Sequence, residues 1–196
     1  DTQSALYNRA SQGLYAPGST FKILAAYSAA LDAGGLTLAS VQDDAPYTYA
    51  GANGKSVNNY DRRYRGFTTL REAITDSINI VTVKTLAQAG VSLGWQYVQE
   101  YGFTTVDSRD MNEALALGGI TQGVSNLELT AAYAAIANQG TYIKPKFYTK
   151  ILDHDGNVLI DNTTPESHTV IKDTTAWLLT SAMEDVMTSG TGTSAY

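Results

Sequence analysis

Cysteine is absent from the 196 residues. Its absence excludes disulfides, thiolate nucleophiles and cysteine-ligated metals, and singles out no compartment. Charge is sparse and tilted to one sign. Charged residues make up 16%, and 13 Lys and Arg stand against 19 Asp and Glu, a net charge of -6. That deficit of positive charge argues against non-specific binding to nucleic acid and against docking on anionic membrane surfaces. No run of about 18 apolar residues occurs, so no segment reads as a membrane-spanning helix. Histidine occurs twice. His154 and His168 both fall in or beside turns, outside any His-x-x-x-His or triad-like setting, and read as surface residues. A Gly-rich nucleotide loop and repeats of solenoid length are missing as well. The acidic stretch Asp153-His154-Asp155-Gly156 lacks the glycine placement and the closing glutamate of an EF-hand loop, and reads as a hairpin turn. Neither a metal nor a cofactor is expected.

What is there is a 43% hydrophobic chain, long enough for one domain with a substantial core. It begins at Asp1 without a signal-peptide pattern and ends in a Gly-Thr-Ser-rich stretch after a helical pattern. Both ends read as cut from something larger.

The stretch Tyr15-Ala16-Pro17-Gly18-Ser19-Thr20-Phe21-Lys22 organises the rest. A Pro-Gly turn delivers Ser19 onto the first turn of a helix. Lys22, three residues on, shares its face. A serine hydroxyl becomes a nucleophile when a base takes its proton, and a neutral lysine is such a base. Burial and the positive end of a helix both push a lysine toward neutrality. The same helix end would stabilise negative charge growing on an attacked carbonyl. The plain alternative is an ordinary helix start with a solvated lysine, and Ser-x-x-Lys arises by chance about once in a few hundred residues.

Apolar and small residues predict a helix from Ser19 to about Ala33, stopped by Gly34-Gly35. Residues 36–67 read as extended or loop, with a hairpin of Tyr47 and Tyr49 against Ser56 and Val57 around Asn53-Gly54. Tyr60, Arg62, Arg63, Tyr64 and Arg65 form a basic-aromatic cluster. It suits contact with a carboxylate or sugar, but a solvated loop with packed tyrosines is the favoured reading. Thr69-Leu70-Arg71-Glu72 and Ser125-Asn126-Leu127-Glu128 are capping boxes. The first opens a helix to about Asp76, and the second a buried alanine-rich helix ending at Gly140. Further helices are predicted from Ile80 to Ala89, from Ser92 to Tyr101, and from about Thr174 to Met187 with Asp173 as cap. Lys146–Leu152 and Asn157–Asp161 read as strands.

Ser77-Ile78-Asn79 lies between two of these helices. Ser-x-x-Lys followed by Ser-x-Asn resembles the signature of the penicillin-recognising serine acyl-enzymes. The flanks of Ser19 and the stretch Leu70-Arg71-Glu72-Ala73-Ile74 resemble class A, bifunctional penicillin-binding proteins. So do Leu117-Gly118-Gly119, Ala137-Asn138-Gln139-Gly140, Pro145 and Ser189-Gly190-Thr191-Gly192. The resemblance runs from about Asn8 to Ala195. It implies a peptidoglycan D,D-transpeptidase. Ser19 would attack the D-Ala-D-Ala bond of a stem peptide, and β-lactams would acylate the same hydroxyl. Lys22 would be the base, Ser77 a proton relay to the leaving amine, and Asn79 a hydrogen-bonding partner of the acyl amide. The partners implied are stem peptides and β-lactams. The parent protein would be membrane-anchored, linked to a glycosyltransferase domain, and placed on the extracytoplasmic face of the bacterial membrane.

The pattern departs from the family at its third motif. The Lys-Thr-Gly or Lys-Ser-Gly strand that binds the substrate carboxylate does not occur, and Gly190 stands where a lysine should precede Thr191-Gly192-Thr193. The implied fold is mainly α with short β hairpins. It is the helix-rich part of the α/β penicillin-binding transpeptidase (β-lactamase-like) fold, with the central antiparallel sheet largely missing. Residues 1–196 would be one partial transpeptidase domain, weakly active or inactive alone, with apolar helix faces left exposed. A class A β-lactamase is disfavoured because Val170, four residues after Glu166, breaks the Glu-x-x-x-Asn pattern of a deacylating enzyme. A non-catalytic β-lactam receptor would carry the same Ser-x-x-Lys. A helical interaction domain would leave Ser19 unacylated and Lys22 in solvent.

Overall fold

The computed structural model describes residues 7–50 and 55–195. At its centre lies the helix that starts at the Ser19 motif. It is one helical run in three windings: a 3-10 turn at Gly18–Thr20, a π stretch at Ile23–Tyr27 and an α segment, α1 (Ser28–Asp32). Residues 21–30 are all buried. A helix that is apolar or small on every face has to sit inside its domain, and this one does. The expected regular helix is therefore corrected in its winding. The Ser28 backbone N–H reaches back five residues to the Ile23 carbonyl, and the Ser28 hydroxyl donates to that same carbonyl at 2.9 Å. A side chain that competes for its own helix's acceptors favours such wide turns.

Helices surround this core: α2 (Leu70–Thr75), α3 (Asn79–Ala89), α4 (Val91–Glu100), α5 (Asn126–Ala137) and α6 (Asp173–Thr188). Leu24 and Tyr27 of the central helix share one cluster with Ile80, Val81 and Leu86 of α3, Val98 of α4, Ala132 of α5 and Leu179 of α6. Both predicted capping boxes are formed. Thr69 and Glu72 exchange hydrogen bonds at the start of α2, and Ser125 and Glu128 do so at α5. At α6 the expectation is corrected: Lys172 is the N-cap residue and makes no side-chain cap, while Asp173 lies inside the first turn.

Strands occur as five antiparallel pairs among the described residues. They are β1 (Leu14–Tyr15) with β6 (Val124–Ser125), β2 (Val41–Asp44) with β5 (Gly66–Thr69), β3 (Tyr47–Thr48) with β4 (Ser56–Val57), β7 (Thr141–Ile143) with β10 (Ser167–Thr169), and β8 (Lys150–Leu152) with β9 (Val158–Asp161). The pairing of β3 with β4 is the expected hairpin, although its Asn53-Gly54 turn lies outside the described residues. The β8–β9 hairpin turns on Asp153, whose carboxylate accepts from the backbone N–H of Asp155 and Asn157. The two histidines are exposed. The pairing of β2 with β5 went unread in the sequence, and it carries the buried Asp44.

The helix-rich architecture with short hairpins is therefore as expected. So is the exposed helix face: Trp177 on α6 is 69% exposed, beside a cavity of about 620 Å³ between α5 and α6. One side chain ties the end of the central helix to the start of α6. The Asp32 carboxylate accepts from Tyr97 Oη at 2.7 Å, from Lys172 N at 2.8 Å and from Thr175 Oγ1 at 2.8 Å. Replacing Asp32 with alanine removes three charge-assisted bonds at once. It should destabilise the fold by about 2–3 kcal/mol, read from urea unfolding as a lower midpoint at unchanged slope.

Candidate active site

Ser19 sits on the 3-10 turn at the mouth of the central helix with its side chain exposed. Gly18 has φ 56°, the left-handed region that glycine tolerates. The turn is clamped from several directions. Thr20 Oγ1 donates to the Pro17 carbonyl at 2.7 Å, and Tyr133 Oη of α5 donates to the Thr20 carbonyl at 2.6 Å. Phe21 packs edge-on against Phe103 with ring centroids 5.0 Å apart. Behind it, the Leu117-Gly118-Gly119 turn lies directly on the Gly18 backbone. A Cβ on Gly118 would stand 2.5 Å from the Gly18 oxygen and 2.7 Å from its nitrogen.

One turn further in, Lys22 is buried, with 3% of its surface exposed. Its Nζ donates to the Ser77 carbonyl at 2.6 Å, to Ser77 Oγ at 2.9 Å and to Asn79 Oδ1 at 2.6 Å. Burial pushes its pKa down to about 7, against the usual 10.5, even though three oxygens face the amine. The sequence spacing put Lys22 on the face of Ser19. In the structure the two line one cavity of about 380 Å³ with Ser77, while the lysine's hydrogen bonds run to the Ser77-Asn79 junction.

That junction is built for the purpose. The short α2 ends at Asp76, and Ser77 follows in the left-handed region at φ 53°. A serine held there costs roughly 1–2 kcal/mol. Ser77 N donates to the Ile74 carbonyl at 3.2 Å and Ile78 N to the Ala73 carbonyl at 2.9 Å. The reversal presents both the carbonyl and the hydroxyl of Ser77 to Lys22, and α3 begins at once with Asn79. Ser19, Ser77 and Asn79 also line a cavity of about 680 Å³, with Asn59, Tyr60, Arg65 and Gly190 along it. The cavity beside Trp177 contains none of Ser19, Lys22, Ser77 and Asn79.

The structure thus brings together all four residues singled out by sequence: a hydroxyl, a buried amine, a second hydroxyl and an amide. A family model, the penicillin binding protein transpeptidase domain, matches residues 1–196. The chain belongs to that family. Penicillin-binding protein 1F of Bacillus subtilis is 38% identical over 194 residues, which cover 99% of this chain and 26% of that protein. Penicillin-binding protein 1A of Neisseria meningitidis is 34% identical, covering 100% of this chain and 25% of its own length. The chain therefore spans about a quarter of the curated relatives it matches. Among solved structures, penicillin-binding protein 1A of Haemophilus influenzae superposes with a TM-score of 0.82 at 27% identity, over 98% of this chain and 32% of that one.

Two residues behind the site, Asp44 and Asn59, are not among the sequence-predicted site residues; both fall in the stretch 36–67 that reads as extended or loop. Sequence reasoning leaves Thr191-Gly192-Thr193 unassigned, and the structure gives Gly190 a different task. A Cβ there would overlap the Thr75 carbonyl at the end of α2, Thr191 N donates to that carbonyl at 3.2 Å, and Thr193–Ala195 is a 3-10 turn rather than a strand.

Gly118→Ala should disturb the Ser19 turn through the close contact with Gly18, on a backbone at φ 72° that resists a side chain. The unfolding midpoint should fall, by the equivalent of about 1–3 kcal/mol, measured by thermal unfolding against wild type. Ser77→Gly relieves the left-handed strain but removes the hydroxyl that accepts from the buried Lys22 amine. The two effects are opposed and each is about 1–2 kcal/mol, so the unfolding midpoint should move little, measured by thermal unfolding against wild type.

Proposed function

We propose that this chain is part of a serine D,D-transpeptidase of peptidoglycan synthesis that β-lactams acylate. The observation that carries the reading is the buried Lys22, bonded to Ser77 and Asn79 one helical turn from an exposed serine. A pKa of about 7 leaves close to half of the lysine neutral at neutral pH, as a general base requires. Neutral Lys22 takes the Ser19 Oγ proton while Oγ attacks the carbonyl carbon of the penultimate D-alanine. The tetrahedral adduct collapses with cleavage of the peptide C–N bond. The leaving D-alanine amine receives a proton from Lys22 through the Ser77 hydroxyl, which donates one and accepts one. An ester on Ser19 remains, and the amine of a second stem peptide resolves it by the reverse relay. Asn79 is the partner for the acyl-chain amide, its Oδ1 shared with Lys22 and its Nδ2 donating to the Asn58 carbonyl at 2.8 Å.

The 196 residues hold no Lys-Thr-Gly or Lys-Ser-Gly, so the substrate carboxylate and the second oxyanion donor require groups beyond them. Loss of such donors costs a hundredfold or more in rate, of order 10²–10³ for one. On this reading the residues are one portion of a transpeptidase domain. The parent protein works on peptidoglycan at the extracytoplasmic face of the membrane, alongside a glycosyltransferase domain. Among the described residues no helix is long and apolar enough to cross a membrane.

Incubation of the full-length parent with benzylpenicillin, followed by intact mass, tests the reading. A single adduct that disappears with Ser19→Ala is expected. A folded protein that forms no adduct contradicts it. The acylation rate should climb with pH through about 7, because the base must lose its proton first. A rate flat between pH 5.5 and 8.5 would remove Lys22 from that role.

A further inference from the structure

The N-terminus of α3 is the wall against which Lys22 is set, and it has no cap of its own. Its N-cap residue is Ile78, which has no side-chain acceptor. The first N–H groups of a helix need acceptors from somewhere. Here they come from 20 residues upstream. Asn59 Oδ1 accepts from Asn79 N at 3.1 Å and from Ile80 N at 3.2 Å. The other end of the same amide is equally committed. Asn59 Nδ2 donates to the two Asp44 oxygens at 2.8 and 3.0 Å and to the Arg63 carbonyl at 2.8 Å. Asp44 is fully buried at the end of β2, and Asn59 is 3% exposed. Arg65 N supplies a further donor to Asp44 Oδ2 at 2.9 Å. Next door, the Asn58 carbonyl accepts from Asn79 Nδ2, which leaves Asn79 Oδ1 as the end of that amide turned to Lys22.

We propose that Asn59, backed by Asp44, is a positioning residue for the acyl-transfer reaction: it fixes the start of α3 and so aims Asn79 and Ser77 at the Lys22 amine. The inference rests on the reading of Lys22 as the base. Asparagine suits the post because a single planar group must accept from two helix N–H groups and donate to a buried carboxylate. Aspartate in its place would set two carboxylates against each other. An apolar residue would leave both N–H groups without this acceptor and Asp44 with Arg65 as its remaining partner. Neither Asn59 nor Asp44 bonds to Ser19 or Lys22 among the described residues; Asn59 borders the cavity that Ser19, Ser77 and Asn79 line, but its hydrogen bonds run to α3, Asp44 and Arg63, and through α3 it acts on the chemistry.

The test uses the full-length parent and benzylpenicillin, with the noncovalent binding constant separated from the first-order acylation constant. Asn59→Asp should lower the acylation constant at least tenfold and change binding less than threefold. The exchange double variant Asp44→Asn/Asn59→Asp restores an amide facing a carboxylate, losing the bond to the Arg63 carbonyl, one of the two bonds between residues 44 and 59, and the carboxylate that faces Arg65. It should recover at least threefold of the loss, a coupling that independent substitutions do not show. Amide hydrogen exchange in the peptide covering Asn79 and Ile80 should quicken in Asn59→Asp and slow again in the double variant. If Asn59→Asp does not fold, Asp44→Asn alone should still lower the acylation constant at least threefold. Folded variants that acylate at the wild-type rate overturn the inference, as does a loss confined to binding, or one that the exchange pair leaves uncorrected. A wild-type protein that forms no adduct defeats the acyl-enzyme reading itself, and this inference falls with it.

Discussion

An ammonium held out of water is the constraint that the rest of this structure serves. Lys22 is the buried end of a motif whose other end, Ser19, is exposed. Burial lowers its pKa to about 7. The three oxygens around it keep the protonated form from being intolerable, since a buried charge without partners would cost several kcal/mol. A lysine in that balance accepts and returns a proton readily. The central helix, buried from Phe21 to Ala30, the left-handed Ser77 and the N-terminus of α3 together keep this one amine out of water and surrounded by oxygens.

Each supporting feature carries a local cost. The Gly18–Thr20 turn and the π stretch depart from regular α winding. Ser77 stands at a positive φ, and α3 opens without a side-chain cap from its own N-cap residue. These departures lie within a few residues of Ser19, Lys22 and Asn79. The N-termini of α2 and α5, by contrast, have complete capping boxes. Strain gathered at a site and compensated by packing around it is the pattern expected of a preorganised reaction centre.

What could be read from sequence was what is local. The two capping boxes, the β3–β4 hairpin strands and the helix through Phe21 and Leu24 follow from neighbours within a few residues. The residues of the site were legible because two short motifs name them. Their arrangement was not. Spacing alone set Lys22 beside Ser19, whereas its hydrogen bonds run to residues 55 and 57 positions away. Asp44 and Asn59 fall in a stretch that reads as extended or loop, and Asp and Asn favour turns. A carboxylate and an amide that satisfy each other inside the fold leave no periodic trace. One signal was available: Asn79 and Ile80 open a helix directly after Ile78, which has no oxygen to cap it, so the acceptor had to come from elsewhere. The misassigned cap at Asp173 has the reverse cause, since a cap-type residue one position late is indistinguishable by composition from a cap.

The central claim is that Lys22 changes protonation near neutral pH because it is buried. Titration of lysine side chains by NMR in the folded protein, with Lys22→Arg to assign the signal, measures this directly. The account predicts one lysine that changes protonation at about pH 7, well apart from the rest, and whose signal is missing in the variant. A Lys22 that titrates near 10.5 with the other lysines would contradict it.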